Sequence, residues 1–425
     1  MTRYYALAPR NLINQYFLEM SMAIPRCPYF GKCGGCTGQH IDYNVQLENK
    51  RVLLWRAVRD HLKIEDVKAF SGEEYNYRNR MDFAFVNNSE DQIGQSSAAG
   101  LGLREKGKWH SIVDIKRCEI SEPALNSLLA EVRDFFSARE TDVFNIMEST
   151  GTFRYAVIRV TSSGDSSISF VINEDSGKRD DAMDIIKEFA EQTAAKNVLV
   201  ILMPHETDMS IGEVHKVIKG SDMLQENLLG KAFYYSSQGF FQNNSAMAAE
   251  MQKYCNELLK RHAAAEKKEN WGKNGEKEKA STQLLDLYAG VGTFGVINAS
   301  LFRRVTMVES VPQCIEAMKR NCEENDVKNA DAVLLDAAKL SRLAPQLTRP
   351  LYVMTDPPRS GMSEKTIIAL KQLKPKVMIY ISCNLLQLAK DIPKFKDYSV
   401  RSAALFDLFP QTLHAEGIVE MELKL

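Results

Sequence analysis

Leu285-Asp286-Leu287-Tyr288-Ala289-Gly290-Val291-Gly292-Thr293-Phe294-Gly295 joins an apolar run to a glycine-spaced turn and then to a helical pattern. Gly290-x-Gly292-x-x-Gly295, after a strand and before a helix, is the arrangement of a nucleotide-binding turn. Glycine permits the tight bend, and the helix start offers free N–H groups. Glu309 closes the next apolar run, about 20 residues on, where a carboxylate can take both hydroxyls of a ribose. The spacing alone does not choose between a nicotinamide dinucleotide and S-adenosylmethionine.

Strands are expected at Gln283–Leu287, Val305–Glu309, Ala332–Leu335, Leu351–Thr355 and Val377–Ser382, with helices such as Pro312–Glu324 and Lys365–Leu373 between them. This alternation predicts an α/β fold, a doubly wound, Rossmann-like parallel sheet. Val419–Leu423 reads as a last, antiparallel strand. Asp356-Pro357-Pro358-Arg359 follows one strand, and Cys383 stands between the next strand and the helical stretch Asn384-Leu385-Leu386-Gln387-Leu388. A thiol at a helix start feels the positive end of the helix dipole, which favours thiolate. Gly290, Asp356 and Cys383 all fall at carboxyl ends of parallel strands, the edge where such sheets bind ligands. Two features favour S-adenosylmethionine: the turn opens on Asp286 and Tyr288, which a nicotinamide site does not need, and base-modifying methyltransferases commonly set an Asp/Asn-Pro-Pro turn beside the methyl group. Proline stiffens such a turn.

The N-terminal half reads differently. Pro28-Tyr29-Phe30-Gly31-Lys32-Cys33-Gly34-Gly35-Cys36 is a tight loop able to wrap something small. Residues 42 to 62 carry apolar positions at helical spacing. Strand patterns follow between Tyr77 and Ile120 and at Phe153 to Val160 and Ile168 to Val171, with helices at Pro123 to Phe136 and Asp181 to Thr193. The expected division is a segment 1–40 with the cysteine loop, a helix at 41–70 packed on the catalytic domain, a central α+β RNA-binding domain at 71–236, and a methyltransferase domain at 237–425. Ala265–Lys279 mixes charges with glycine and reads as a solvated loop, within 263–282.

At 425 residues, 44% hydrophobic and 26% charged, the chain reads as a globular protein of two or three domains. It shows no spanning segment or secretory signal, which points to the cytoplasm. The net charge of −1 requires that any basic surface for nucleic acid be gathered on one face. Of eight cysteines, Cys255, Cys314 and Cys322 sit in helical patterns as small apolar residues. Cys27-x5-Cys33-x2-Cys36 with the remote Cys118 suits four soft thiolate ligands for zinc or an iron–sulfur cluster, and the spacing does not decide between them.

Read together, the segments Cys27-x5-Cys33-Gly34-x-Cys36, Tyr77-Arg78-Asn79-Arg80, Cys118, Gln238-Gly239-Phe240-Phe241-Gln242-x-Asn244, the Gly290 turn, Asp356-Pro357-Pro358-Arg359, Ser382-Cys383-Asn384 and Phe409-Pro410-Gln411-Thr412-x-His414-x-Glu416 resemble the RNA 5-methyluridine methyltransferase family. The resemblance runs from Cys27 to the C-terminus, in the family's order. It implies Cys383 as nucleophile, Glu416 as the base that removes the C5 proton, and Gln242, Tyr288, Glu309 and Asp356 around S-adenosylmethionine, with Asp336 toward the adenine. It also implies a [4Fe-4S] cluster on Cys27, Cys33, Cys36 and Cys118, in a structural role. The partner implied is RNA, with ribosomal RNA favoured over transfer RNA because members with these cysteines are mostly ribosomal enzymes. No obligate protein partner is evident. Many relatives carry an N-terminal RNA-binding β-barrel. Only 26 residues precede Cys27, so RNA affinity is expected from the central domain, through Arg78, Arg80, Arg104, Lys106 and Lys108. A nicotinamide oxidoreductase and a silent RNA-binding protein are the competing readings.

Overall fold

The computed structural model describes residues 3–4, 22–61, 67–87, 99–212, 215–274 and 282–424. Two large sheets organise them. The first runs, edge to edge, Arg3–Tyr4, Lys68–Ser71, Tyr398–Phe406, Glu416–Leu423, Val377–Ser382, Leu351–Thr355, Gln283–Leu287, Arg304–Glu309 and Ala330–Leu334. The last five strands are parallel, as the alternating pattern predicts. Glu416–Leu423 runs antiparallel between Val377–Ser382 and Tyr398–Phe406.

Alternate residues of these strands enter two cores. On one face Leu284, Met307, Met354 and Ile379 pack with Met251 and Leu258 of the helix Ser245–Asn274 and Met318 of the helix Pro312–Glu324. On the other, Leu285, Val353, Met378 and Val419 pack with Leu47 and Leu54 of the helix Tyr43–Val58 and Leu370 of the helix Glu364–Leu373. The hairpin of Met223–Leu228 and Lys231–Ser236 sends Leu224, Phe233 and Tyr235 into the first of these cores.

The second sheet runs Lys108–Asp114, Ala99–Glu105, Arg80–Asn87, Phe153–Val160, Ser166–Asn173, Asn197–Met203 and His215–Lys219. Helices Pro123–Ser137 and Arg179–Gln192 cover one face, over a cluster in which Phe85, Phe136, Phe153, Phe170 and Phe189 meet ring to ring. The opposite face carries Arg80, Asp82, Tyr155 and Arg159 beside a small apolar group, Val157, Val171, Ile201 and Met203.

Three expectations change. The charged segment is not a loop from 263: the helix continues to Asn274, because Ala, Glu and Lys are good helix formers, and Glu266 is buried against Lys376 at 2.5 Å. Residues 275–281 of that expected loop lie outside the described residues. Tyr398–Phe406 is a strand of the catalytic sheet that the pattern did not reveal, and the helix expected over 41–70 ends at Val58, with Lys68–Ser71 a further strand of that sheet. Among the described residues no helix is long and apolar enough to cross a membrane.

Helix Tyr43–Val58 is bolted to the loop after Tyr398–Phe406 by a buried ion pair, Lys50 Nζ to Asp407 Oδ1 at 2.8 Å. Tyr43 Oη donates to the other carboxylate oxygen at 3.0 Å and the Phe409 N–H to Oδ1 at 3.2 Å. Removing one partner of such a pair leaves an uncompensated buried charge. Lys50→Met is therefore expected to cost about 3–5 kcal/mol, read as a lower urea midpoint at neutral pH. A midpoint equal to that of the parent protein would show the pair to be dispensable.

Candidate active site

The glycine turn closes as its sequence requires. Gly290 and Gly292 hold φ of 55° and 85°, in the left-handed region, and Gly292 caps the helix Thr293–Asn298. A Cβ on Gly295 would stand 2.4 Å from Met307 Sδ, so the helix lies against the strand Arg304–Glu309 only with glycine there. Asp286 accepts from the Gly295 N–H at 2.9 Å, and burial pushes its carboxyl up to about 8. Glu309 accepts from the Gly290 N–H at 3.0 Å and, on its other oxygen, from Ser310 and Val311 N–H. A Cβ on Gly290 would meet nothing within 4 Å: that side of the turn is open.

Tyr288, also left-handed at φ 59°, stands half-buried beside this opening, and the charges of Asp336, Asp391 and Glu309 act with burial to raise its phenol. Asp336 is exposed and accepts from the Ala338 N–H at 2.8 Å. Tyr288, Glu309 and Asp336 thus gather around the turn. Glu309 Oε2 takes a single donor, the Gly290 N–H, and can still accept from a ribose hydroxyl, and the open face at Gly290 is the space a nucleoside needs, so these residues fit S-adenosylmethionine. Gln242 lies half-buried in the segment before helix Ser245–Asn274, its carbonyl accepting from Asn79 Nδ2 at 3.1 Å.

Cys383, Asp356 and Glu416 converge at the same edge. Leu351–Thr355 and Val377–Ser382 are neighbours with Thr355 opposite Tyr380, so Asp356 and Cys383 leave adjacent strand ends. In the antiparallel pair Ser382 faces Gly417; one step further sets Cys383 opposite Glu416. Asn384 caps the helix Leu385–Asp391, accepting from the Gln387 N–H at 3.2 Å and donating to the Arg359 carbonyl at 3.0 Å.

The electrostatics are those of a desolvated acidic site. Glu416 is buried, and burial together with the charge of Asp356 holds its carboxyl well above the usual range. Burial pushes Asp356 up to about 7. Burial, Glu416 and Asp356 push the Cys383 thiol up to about 11. The helix start does not by itself yield a ready thiolate, contrary to the sequence reading, because burial and two carboxyls outweigh a seven-residue helix. The guanidinium of Arg359 lowers both Cys383 and Glu416. It donates to the ring of His414, with its Nη2 3.1 Å from Nδ1, and burial and Arg359 favour the neutral imidazole. Sequence reasoning quoted Arg359 within a motif and gave it no task. Its position after Asp356-Pro357-Pro358 was the available signal.

The four cysteines come together elsewhere. Cys27, Cys33, Cys36 and Cys118 all line one cavity of about 670 Å³ between the loop 27–36 and the open face of the central sheet. Burial raises Cys27, Cys33 and Cys36, Cys36 to about 12, and in each case the charge of Cys118 adds to it. Among the described residues no three His, Cys, Asp or Glu side chains are drawn together as a single metal ion needs. Four thiols around a shared space still fit a larger cationic group. Arg78, Arg80, Arg104 and Lys106 stand on the same wall. Arg80 pairs with Asp82, Arg104 with Asp208, and Lys108 pairs instead with Glu105 at 2.8 Å.

A doubly wound sheet, an open glycine turn with an acidic residue on the next strand, and a thiol and two carboxyls at the same edge define an α/β S-adenosylmethionine-dependent methyltransferase. Residues 42–424 match the family model described as tRNA (Uracil-5-)-methyltransferase, and the chain belongs to that family, the RNA uracil-C5 methyltransferases. The chain is 31% identical to the tRNA (uracil(54)-C(5))-methyltransferase of Pyrococcus horikoshii, over 93% of this chain and 85% of that one. It is 30% identical to an uncharacterised RNA methyltransferase of Caldanaerobacter subterraneus subsp. tengcongensis, over 93% of this chain and 84% of the relative. Its structure resembles that of the Pyrococcus abyssi tRNA (uracil-54, C5)-methyltransferase in complex with S-adenosyl-L-homocysteine, with a TM-score of 0.70 and 27% identity over 91% of this chain and 85% of the other.

Removing the Arg359 charge leaves Cys383 and Glu416 with higher pKa values, so both reach their ionised forms only at higher pH. Arg359→Met is expected to move the pH profile of covalent adduct formation to the alkaline side by about one unit, within the range an adjacent charge produces. The shift should shrink at high salt, because Arg359 is exposed. A profile that stays in place would remove Arg359 from this account.

Proposed function

We propose that this enzyme methylates C5 of a uridine in transfer RNA through a covalent bond between Cys383 and C6 of the base. The observation that carries it is the cross-strand placement of Cys383 opposite Glu416, with Asp356 leaving the next strand end. S-adenosylmethionine, when bound, supplies an electrophilic methyl group. C5 of uracil is a poor nucleophile. Addition of the Cys383 sulfur to C6 converts the ring to an enolate whose C5 can accept the methyl. Glu416 then takes the C5 proton, the C5–C6 double bond returns, the C6–sulfur bond breaks, and Cys383 leaves as thiolate. Gln242, Tyr288, Glu309 and Asp356 hold the cofactor, with Glu309 on the ribose. Asp336 stands toward the adenine. The target base must leave its stack to reach this edge, and unstacked loop bases are where RNA-modifying proteins usually read sequence.

The choice of RNA follows the relatives. Two similar Pyrococcus proteins are named for uracil 54 of transfer RNA, and this supports transfer RNA over the ribosomal RNA that the cysteine pattern suggests. The exposed Lys106 and the half-buried Arg78 beside this cavity support the central domain as the RNA surface, whereas the expected contact Arg80 is buried and paired with Asp82 and Arg104 is paired with Asp208. For the cysteine site we propose a polynuclear iron–sulfur cluster. The four cysteines line one shared cavity, and four soft thiolates suit such a cluster. With Cys27, Cys33, Cys36 and Cys118 as its ligands, no ligand position is left open for chemistry, and the role is structural.

Anaerobically purified enzyme with methyl-labelled S-adenosylmethionine is to be given unmodified transfer RNA and ribosomal RNA in separate reactions, each then digested to nucleosides. Labelled 5-methyluridine from transfer RNA alone is expected. Label from ribosomal RNA alone would overturn the substrate, and label in another nucleoside would overturn the reaction. In the same assay Cys383→Ala should abolish turnover while cofactor still binds, and Glu416→Gln should trap a denaturation-resistant protein–RNA adduct.

A further inference from the structure

Gln411 holds φ of 66°. A residue with a side chain stays in that left-handed region only where its surroundings fix it. Here two backbone N–H groups, of Thr37 and Gly38, donate to its carbonyl at 2.9 Å each. Its side chain is 2% exposed. Oε1 accepts from Gln46 Nε2 at 3.0 Å, and Nε2 donates to Glu74 Oε2 at 3.3 Å. The same Gln46 nitrogen reaches the Gly38 carbonyl at 2.9 Å. A Cβ at position 38 would stand 2.4 Å from Gln46 Oε1 and 3.3 Å from the Gln411 carbonyl carbon, so a larger residue there would push on the Gln46 side chain. One residue earlier in the loop, the Pro410 carbonyl accepts from Tyr77 Oη at 2.9 Å, and the Tyr77 N–H donates to the carbonyl of Ile120, two residues beyond Cys118.

These ties link two regions far apart in sequence. Thr37 follows Cys36 directly, Tyr77 is paired next to Cys118, and Gln411 lies five residues before Glu416. Both halves of the four-cysteine site therefore grip the loop that delivers Glu416 to the sheet edge. We infer that Gln411 is a positioning residue for Glu416, and that through it the cysteine-bearing loop sets where the base stands. The inference rests on the reaction proposed above. It assigns the cysteine region an effect on one step, removal of the C5 proton, without any contact with substrate. Cys383 follows the strand Val377–Ser382, between Ser382 and Asn384, which hydrogen-bond to each other, and its placement comes from that strand rather than from Gln411, so adduct formation should be spared.

The test uses the full-length enzyme and a transfer RNA transcript carrying tritium at C5 of uridine. Adduct is read on a denaturing gel and tritium release to solvent in the same samples. In Gln411→Ala, adduct should form at the parent rate while tritium release slows by about tenfold to a hundredfold, the scale on which small misplacements of a reacting group act, so that adduct accumulates. Affinity for S-adenosylhomocysteine, by calorimetry, should not change. Gln46→Ala removes the same side-chain tie without touching the left-handed backbone and decides alone if Gln411→Ala fails to bind S-adenosylhomocysteine. Tritium release at the parent rate, or adduct formation and release slowed in equal proportion, would overturn the inference. Parent enzyme that gives neither adduct nor tritium release would instead strike the proposed reaction.

Discussion

The antiparallel ladder between Val377–Ser382 and Glu416–Leu423 is the constraint on which the chemistry depends. Its register puts Ser382 against Gly417 and so brings Cys383, just beyond one strand, and Glu416, the first residue of the other, to one place. A one-residue slip would turn every side chain of a strand to the opposite face, and both faces here are packed: Ile379 and Ile381 enter one core, Met378 and Tyr380 the other. The register is thus fixed by burial along the whole strand, and the thiol and carboxyl inherit their placement from it. At Gly417 a Cβ would press to 2.7 Å on Leu385 and 3.0 Å on Leu54, so the approach of this strand to the helix behind Cys383 also depends on glycine.

How much of this was legible in the sequence followed from how local each feature is. The glycine turn, the proline-stiffened Asp356 segment and the thiol at a strand-to-helix joint are each written within a dozen residues, and the parallel strands announce themselves as unbroken apolar runs. Tyr398–Phe406 was hidden because Ser399, Arg401 and Ser402 interrupt its apolar pattern, with a bulge between Val400 and Ser402. Lys68–Ser71 is too short to carry a pattern and is a strand through its pairing with Ala404–Phe406 on one side and Arg3–Tyr4 on the other, with Phe70 stacked on Phe406 at 4.4 Å. The helical end of Ser245–Asn274 was masked by its charges. The ties of Gln411 and the Lys50–Asp407 pair join residues 337 or more positions apart, and no spacing rule reaches so far. Arg359 was visible as a residue, but its influence on Cys383 and Glu416 exists only in the assembled site.

Charge ordering across the site gives the proposed chemistry its sequence of steps. The charge of Glu416 opposes ionisation of Cys383, and that of Asp356 opposes both. With Arg359 as the cation acting on both groups, the site cannot cheaply hold thiolate and carboxylate together. The reaction does not ask for both at once. Thiolate is needed to form the adduct, while Glu416 is needed as carboxylate only after C5 is methylated. Once its sulfur is bonded to C6, Cys383 is a neutral thioether and brings no negative charge near Glu416. Covalent attachment therefore eases ionisation of the base at the stage where the base is used. When Glu416 has taken the C5 proton it is neutral again, and the site can accommodate the returning thiolate. Burial that looks like a handicap for each group taken singly acts, for the pair, to keep the two steps in order.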